Sequence, residues 1–355
     1  MLGKHILVTG ASGFIGLNLV RVLVERGAQV SCLVRNSSQI DELKELGCRL
    51  VFAEIPVDAA ALKPAIEGQD IVFHLAALTN ASNRHRQIQV NVNGWENLLV
   101  AASCVTSPPI CLLVSSLAAV GPSSRQRPHV ESDLCQPISN YGRTKLLAEQ
   151  VAQRFTDRVP ISILRPPIVL GPGDREGLVM FTSINRLGVH VIPGFSDHRY
   201  SIIHSADLVQ ALIAVARSGE RLDHSNSKGI YFPAADEMPS YRELGELIGL
   251  AVGRPRIRVI RIPTELVWGV ATVNSMLNSL LKRGNFLNRD KAREVTGGSW
   301  TCSNEKIKRD LGWSPAATLA ERLQHTALWY RHQQWLPKHP SQTEPRSQKA
   351  TAIPQ

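Results

Sequence analysis

The chain predicts an α/β protein built on a doubly wound parallel sheet with a smaller second lobe, and three observations carry that expectation. Apolar strand patterns alternate with helical ones from residue 4 to residue 165, the signature of successive βαβ units with helices on both sheet faces. The first apolar run, Lys4 to Thr9, passes directly into Gly10-Ala11-Ser12-Gly13-Phe14-Ile15-Gly16, a glycine spacing suited to a phosphate-binding turn. Beyond residue 170 the alternation stops, and Gly and Pro punctuate shorter elements. A length of 355 residues accommodates one large α/β unit and such a lobe.

Strands are expected at 5–9, 29–34, 49–53, 70–75, 110–115 and 160–165, each a short apolar run bounded by turn residues. Helices are expected from apolar spacing at 14–26, 38–46, 59–67, 87–104 and 140–155. The first helix shows Phe14, Leu17, Leu19, Val20, Leu23 and Val24 and is closed by Gly27. Gly10 would permit the tight turn, Gly13 the approach of a pyrophosphate, and Gly16 the packing of helix on strand. The helix would then begin at the phosphate, with its free amides facing the charge. Right-handed crossovers place every strand C-terminus on one edge, which gathers the glycine loop, His74, Ser116 and the residues after Arg165.

Tyr141-Gly142-Arg143-Thr144-Lys145 sets a phenol and an ammonium four residues apart on a helical segment, so both leave one helix face. A neighbouring positive charge would lower the tyrosine pKa and make Tyr141 a general acid or base on an alcohol or ketone.

Together with three further stretches, these residues resemble the short-chain dehydrogenase/reductase superfamily, in particular its extended branch, the NAD-dependent epimerase/dehydratase family. The resemblance covers roughly residues 4–336. Thr9 to Gly16 is similar to the cofactor loop, in which Gly10, Ser12, Gly13, Phe14, Ile15 and Gly16 would contact dinucleotide. Asp70 to Ala77 resembles the strand whose end, at Leu75, Ala76 and Ala77, touches the adenine and ribose side. Asn91-Val92-Asn93-Gly94 opens a helix as the family's motif does, and Val114 to Gly121 resembles the strand end with the catalytic serine. That serine is placed at Ser116, with Ser115 as the alternative. The resemblance implies a Ser116-Tyr141-Lys145 triad, Lys145 binding the nicotinamide ribose, Asn91 and Pro166 lining the cofactor, and a Rossmann-type fold whose smaller C-terminal substrate lobe is interleaved with the core. It also allows a homodimer.

The second strand runs into Val34-Arg35-Asn36-Ser37-Ser38, where an acidic residue would favour NAD and an arginine can pair with a 2′-phosphate. NADP is therefore expected over NAD, with Arg35 as the clamp and Ser37 as a helper.

His204-Ser205-Ala206-Asp207-Leu208 resembles the motif that opens a helix returning to the core, with Asp207 as cap or anchor, and residues 229–233 read as another core strand. The expected units are 1–170 with 205–233 for the dinucleotide, 171–204 with 234–336 for substrate, and a disordered tail at 337–355. Helices are also read in 246–253 and in the run 303–335.

One departure bears on substrate. In Arg165-Pro166-Pro167-Ile168, isoleucine stands where nucleotide-sugar enzymes of this branch carry an asparagine, and it cannot donate a hydrogen bond. Arg199 and Tyr200 lie out of register with those enzymes' arginine. The pattern is closer to the hydroxysteroid dehydrogenase, dihydroflavonol reductase and cinnamoyl reductase groups, which act on apolar alcohols or ketones. Within 264–283, Leu266, Val270, Val273, Leu277 and Leu280 recur at helical spacing with polar interruptions. A packed helix is expected there, a lid or membrane-surface helix stays open, and a membrane span is not expected.

The net charge of +10 comes from dispersed basic residues without interleaved aromatics, which argues against nucleic acid, and an anionic cofactor accounts for a positive groove. The cysteines at 32, 48, 104, 111, 135 and 302 show neither metal nor disulfide spacing. The first strand begins at once, so no signal peptide is expected, and a reducing, cytoplasmic setting follows. Three functions remain: an NAD(P)-dependent dehydrogenase or reductase of an apolar small molecule, a nucleotide-sugar epimerase or dehydratase with tightly held NAD, and a silent cofactor-sensing protein.

Overall fold

The computed structural model describes residues 1–79, 84–124, 126–225, 227–281 and 288–337, with the backbone alone for 276–281. Its centre is a seven-stranded sheet in the order β3-β2-β1-β4-β5-β6-β10. These are β1 (His5–Thr9), β2 (Gln29–Val34), β3 (Arg49–Phe52), β4 (Ile71–His74), β5 (Ile110–Val114), β6 (Ile161–Leu164) and β10 (Ile230–Tyr231). Every pairing is parallel. Alternate residues of a strand enter different cores. Ile6 and Val8 join Leu19, Val20 and Leu23 of α1 (Phe14–Glu25) and Leu208 and Leu212 of α8 (Ser205–Ser218). Leu7 faces Leu62 of α3 (Ala59–Ile66), Trp95 and Leu98 of α5 (Gly94–Ser103) and Val151 of α6 (Asn140–Gln153). Burial on both faces explains why the central strands read as unbroken apolar runs.

The smaller lobe has a third core, in which Phe181 of α7 (Arg175–Leu187), Leu244 and Ile248 of α9 (Tyr241–Ala251) and Leu323 and Tyr330 of α13 (Leu319–His332) meet. Two parallel strand pairs accompany it: β7 (Ile168–Leu170) with β9 (Ile202–His204), and β8 (Val189–Pro193) with β11 (Arg258–Ile262). α10 (Thr264–Leu281) and α11 (Arg289–Thr296) accompany it, whereas α12 (Glu305–Leu311) buries Ile307 in the sheet core shared with α1 and α8.

Four details depart from the sequence reading. The helix expected at 38–46 shrinks to α2 (Asp41–Glu45), because Arg35 to Ser38 forms a turn in which the Ser38 hydroxyl accepts the Arg35 amide at 3.1 Å. The helix expected at 87–104 begins earlier and is divided into α4 (Arg84–Ile88), a π-helical turn (Gln89–Asn93) and α5; the widened turn carries Asn91. The run 303–335 holds two helices, since Gly312 turns left-handed at φ 61° and ends α12, and Thr318 with Glu321 forms a capping box that starts α13. In α10 the stripe Leu266, Val270 and Val273 is exposed while Val267 and Ala271 are buried, so packing chose the adjacent helix face, about 100° round the axis. Leu277 and Leu280 lie outside the described side chains, and all of 337–355 except Pro337 lies outside the described residues. No described helix is long and apolar enough to cross a membrane.

Candidate active site

The strand C-termini converge on one edge, and β1 opens it. Gly10 has φ 71°, and a Cβ there would stand 2.7 Å from the Ala76 nitrogen, so the turn lies directly on the end of β4 beside Leu75 and Ala76. A Cβ on Gly16 would meet the Gly10 carbonyl oxygen at 2.1 Å, which holds α1 tight against that turn. Ser12, Phe14 and Ile15 are half-buried and Gly13 is exposed. Gly13 begins α1 with no side-chain cap and no acidic residue in the first turn, which leaves the amides and positive dipole end for an anion. This bare, glycine-lined helix start fits a dinucleotide pyrophosphate. Arg35 and Ser37 are exposed just past β2, where a phosphate or ribose can reach them. Ala77 is half-buried past β4.

Beyond β5 the two serines diverge. Ser115 is buried, and its hydroxyl donates to Glu149, which also accepts the buried Arg165 guanidinium at 3.0 and 2.6 Å. Ser116 caps the 3-10 turn Leu117–Ala119, accepting the Ala118 amide at 3.1 Å, and its side chain lies beside the Tyr141 phenol. Ser116 is thus the serine that meets Tyr141.

Tyr141 lies in the first turn of α6, and the adjoining Gly142 lets that turn approach. A Cβ on Gly142 would sit 2.2 Å from the Ala118 carbonyl oxygen. Lys145 is buried on the same helix and donates to the Val114 carbonyl at 2.6 Å, with its nitrogen 5.9 Å from the centre of the Tyr141 ring. Burial draws the Lys145 pKa down to about 8, against the pull of Glu149. Tyr141 differs from expectation. Enclosure of its phenol raises its pKa well above the usual value, the Glu294 and Glu176 carboxylates add to the rise, and the neighbouring Ser116 side chain opposes it. The Lys145 ammonium is turned to the Val114 carbonyl, and the phenol holds its proton.

Asn91 is buried and fully bonded: its oxygen accepts the Leu78 amide at 2.7 Å, and its nitrogen donates to the Leu78 carbonyl and Thr144 hydroxyl at 3.1 and 3.0 Å. It braces the loop after β4 against α6. Pro166 is buried, and its carbonyl accepts the Leu117 amide at 2.9 Å. His74, at the end of β4, bonds the Thr9 hydroxyl at 2.9 Å and stacks on Trp95; burial, then Lys145, lowers its pKa to about 3, so it is a neutral brace. Asp207 is an anchor, accepting from Arg322 and the Ala316 amide, while the His204 ring caps α8.

A cavity opens beside Tyr141, lined by Thr79, Glu176, Asp290, Lys291 and Glu294 among others. Sequence reading missed this acidic wall. The i, i+4 spacing of Asp290 and Glu294 puts both on one helix face, but nothing local says which surface that face meets.

A glycine-lined dinucleotide turn, a Rossmann-type sheet and a polar cavity at its carboxyl edge define an NAD(P)-dependent enzyme of the oxidoreductase and epimerase class. The model of the NAD dependent epimerase/dehydratase family matches residues 6–229, and the chain belongs to that family. It is 29% identical over 336 residues to a ceramide reductase of Caulobacter vibrioides, covering 94% of this chain and 96% of that one. It is 30% identical over 331 residues to a 2-alkyl-3-oxoalkanoate reductase of Stenotrophomonas maltophilia, covering 90% and 97%. In fold it is similar to UDP-glucose 4-epimerase of Thermotoga maritima with UDP-glucose, with a TM-score of 0.72, 21% identity and coverage of 93% and 100%.

Proposed function

We propose that this protein is an NADP-linked reductase, or in reverse a dehydrogenase, acting on the ketone or alcohol of an apolar small molecule. The supporting observation is the enclosed Tyr141 phenol, close to Ser116 and lining a cavity at the carboxyl edge of the sheet. When bound, the nicotinamide supplies a hydride donor or acceptor. Ser116 hydrogen-bonds the substrate oxygen, Tyr141 passes the proton from its Oη, and Lys145 orients the ribose. Arg35 holds the 2′-phosphate. Residues 1–170 with 205–233 bind dinucleotide, and 171–204 with 234–336 shape the substrate pocket. The acidic cavity wall and the Ile168 side chain both favour an uncharged substrate over a diphosphate, and of the two reductase relatives named above one is named for ceramide, a lipid, and the other for a 2-alkyl-3-oxoalkanoate, a ketone-bearing acid.

A second reading, a nucleotide-sugar epimerase or dehydratase that retains NAD, is favoured by the family's description and by the UDP-glucose held in the Thermotoga neighbour. Calorimetric titration with NADPH and NADH separates the two, after assay of the purified protein for bound dinucleotide. Exchangeable binding with NADPH preferred, and a preference that falls roughly tenfold or more in Arg35→Asp, supports the reductase. Tightly retained NAD with no response to NADPH supports the epimerase or dehydratase instead.

A further inference from the structure

α11 comes from the far end of the chain, yet it docks on the first turn of α6. Asp290 accepts the Asn140 amide at 2.7 Å and the Tyr141 amide at 3.1 Å. Glu294, one helical turn later, accepts the Ser139 hydroxyl at 2.7 Å, and the same hydroxyl accepts the Gly142 amide at 2.9 Å. Three amides at the start of α6 are therefore satisfied through α11, two directly and one through Ser139. α11 is itself fixed: the Trp300 indole donates to the Glu294 carbonyl at 2.9 Å, and residues beyond it bridge to the loop after β5 at Ser123 and His129.

We propose that Asp290 and Glu294 are positioning residues for Tyr141, Asp290 fixing its backbone through the first-turn amides and Glu294 setting a negative charge in the cavity that its phenol lines. The inference rests on the reading of Tyr141 as proton donor. The charged groups facing the phenol are Lys145 on its own helix, Glu176 at the start of α7, and Asp290, Lys291 and Glu294 on α11. Lys291 lies 3.5 Å from Glu294 and partly screens it, so the net local charge is negative. A negative neighbour disfavours the phenolate, and an acceptor at a helix start both satisfies free amides and complements the dipole. The element that closes the substrate cavity thereby also sets the geometry and the charge of its proton donor.

The test needs no substrate. Tyr141 is replaced by difluorotyrosine, whose more acidic phenol titrates within the stable pH range, and followed by fluorine NMR in the full chain with and without Glu294→Gln. The expected result is a lower titration midpoint in Glu294→Gln, by roughly half a unit or more, with the thermal midpoint little changed. Coincident titration curves overturn the charge role. Amide hydrogen exchange reads Asp290: faster exchange at Asn140 and Tyr141 in Asp290→Ala, partly restored in Asp290→Asn, is expected, and equal exchange in all three overturns the backbone role. Failure of the parent reading is seen separately, as turnover surviving Tyr141→Phe.

Discussion

Tyr141 and Lys145 share a helix face, but the ammonium is bonded to the Val114 carbonyl while the phenol faces Ser116 and two carboxylates. Spacing alone predicts that two side chains can meet; the acceptors around them decide whether they do. A protonated phenol suits carbonyl reduction, where the tyrosine must give a proton to the developing alkoxide. Tyr141→Phe is expected to keep NADPH affinity in calorimetry and to lower turnover by about 10²- to 10⁴-fold. Turnover at the parent rate would refute its role. The serines make the same point at finer grain. Nothing in Ser115-Ser116 as a string separates them, whereas Glu149 and Arg165, distant in sequence, engage one and leave the other facing Tyr141.

Among the elements, the 3-10 turn after β5 and the first turn of α6 depend on each other through Gly142. Its missing side chain allows contact with the Ala118 carbonyl, and that contact brings Ser116 to Tyr141. An alanine there forces the two elements apart. Gly142→Ala is expected to cost about 1–3 kcal/mol of stability and, in single-turnover assays, to slow hydride transfer by more than that loss of folded protein explains. A variant with full activity and unchanged thermal midpoint would show that the approach is not needed. α1 was readable as an element because its signals are local: a strand, a glycine turn and an apolar helix in unbroken succession. The division of the expected 87–104 helix was not, because the π-helical turn is stabilised by Asn91 bonding a loop and a neighbouring helix.

For the molecule as a whole, buried neutral histidines tie stability to pH. His74 and His204 are both pulled down to about 3 from 6.5, by burial first, then by Lys145 for His74 and by Arg322 and His325 for His204. In the unfolded chain each binds a proton as pH falls below 6.5, while in the folded chain neither does until about 3. Their contribution is thus present above 6.5 and lost toward acid, with a slope of about 1.4 kcal/mol per pH unit for each. Asp174, raised by burial to about 6 from 3.8, acts oppositely: folded protein holds its proton up to about 6, so it favours folding toward acid in that window. His190, also lowered by burial, adds to the two histidines, and Glu131, also raised by burial, adds to Asp174, so the histidines still outnumber the raised carboxyls. Urea unfolding between pH 6 and 4 is expected to show stability falling with pH, and His74→Gln to reduce that slope by about 1.4 kcal/mol per unit. An unchanged slope would mean that His74 takes up a proton without unfolding.

The linear order of residues was enough for the parallel sheet, the glycine turn, the dinucleotide edge and the Tyr141–Lys145 face, because each rests on short-range periodicity, backbone sterics or the fixed hand of crossovers. The fates of Ser115 and Ser116, the exposed stripe of α10, the acidic wall of the cavity and the clamp of α11 on α6 were set by folding. Each depends on which distant surface a side chain meets, and the local charge and solvation that govern its chemistry exist only once those surfaces are packed together.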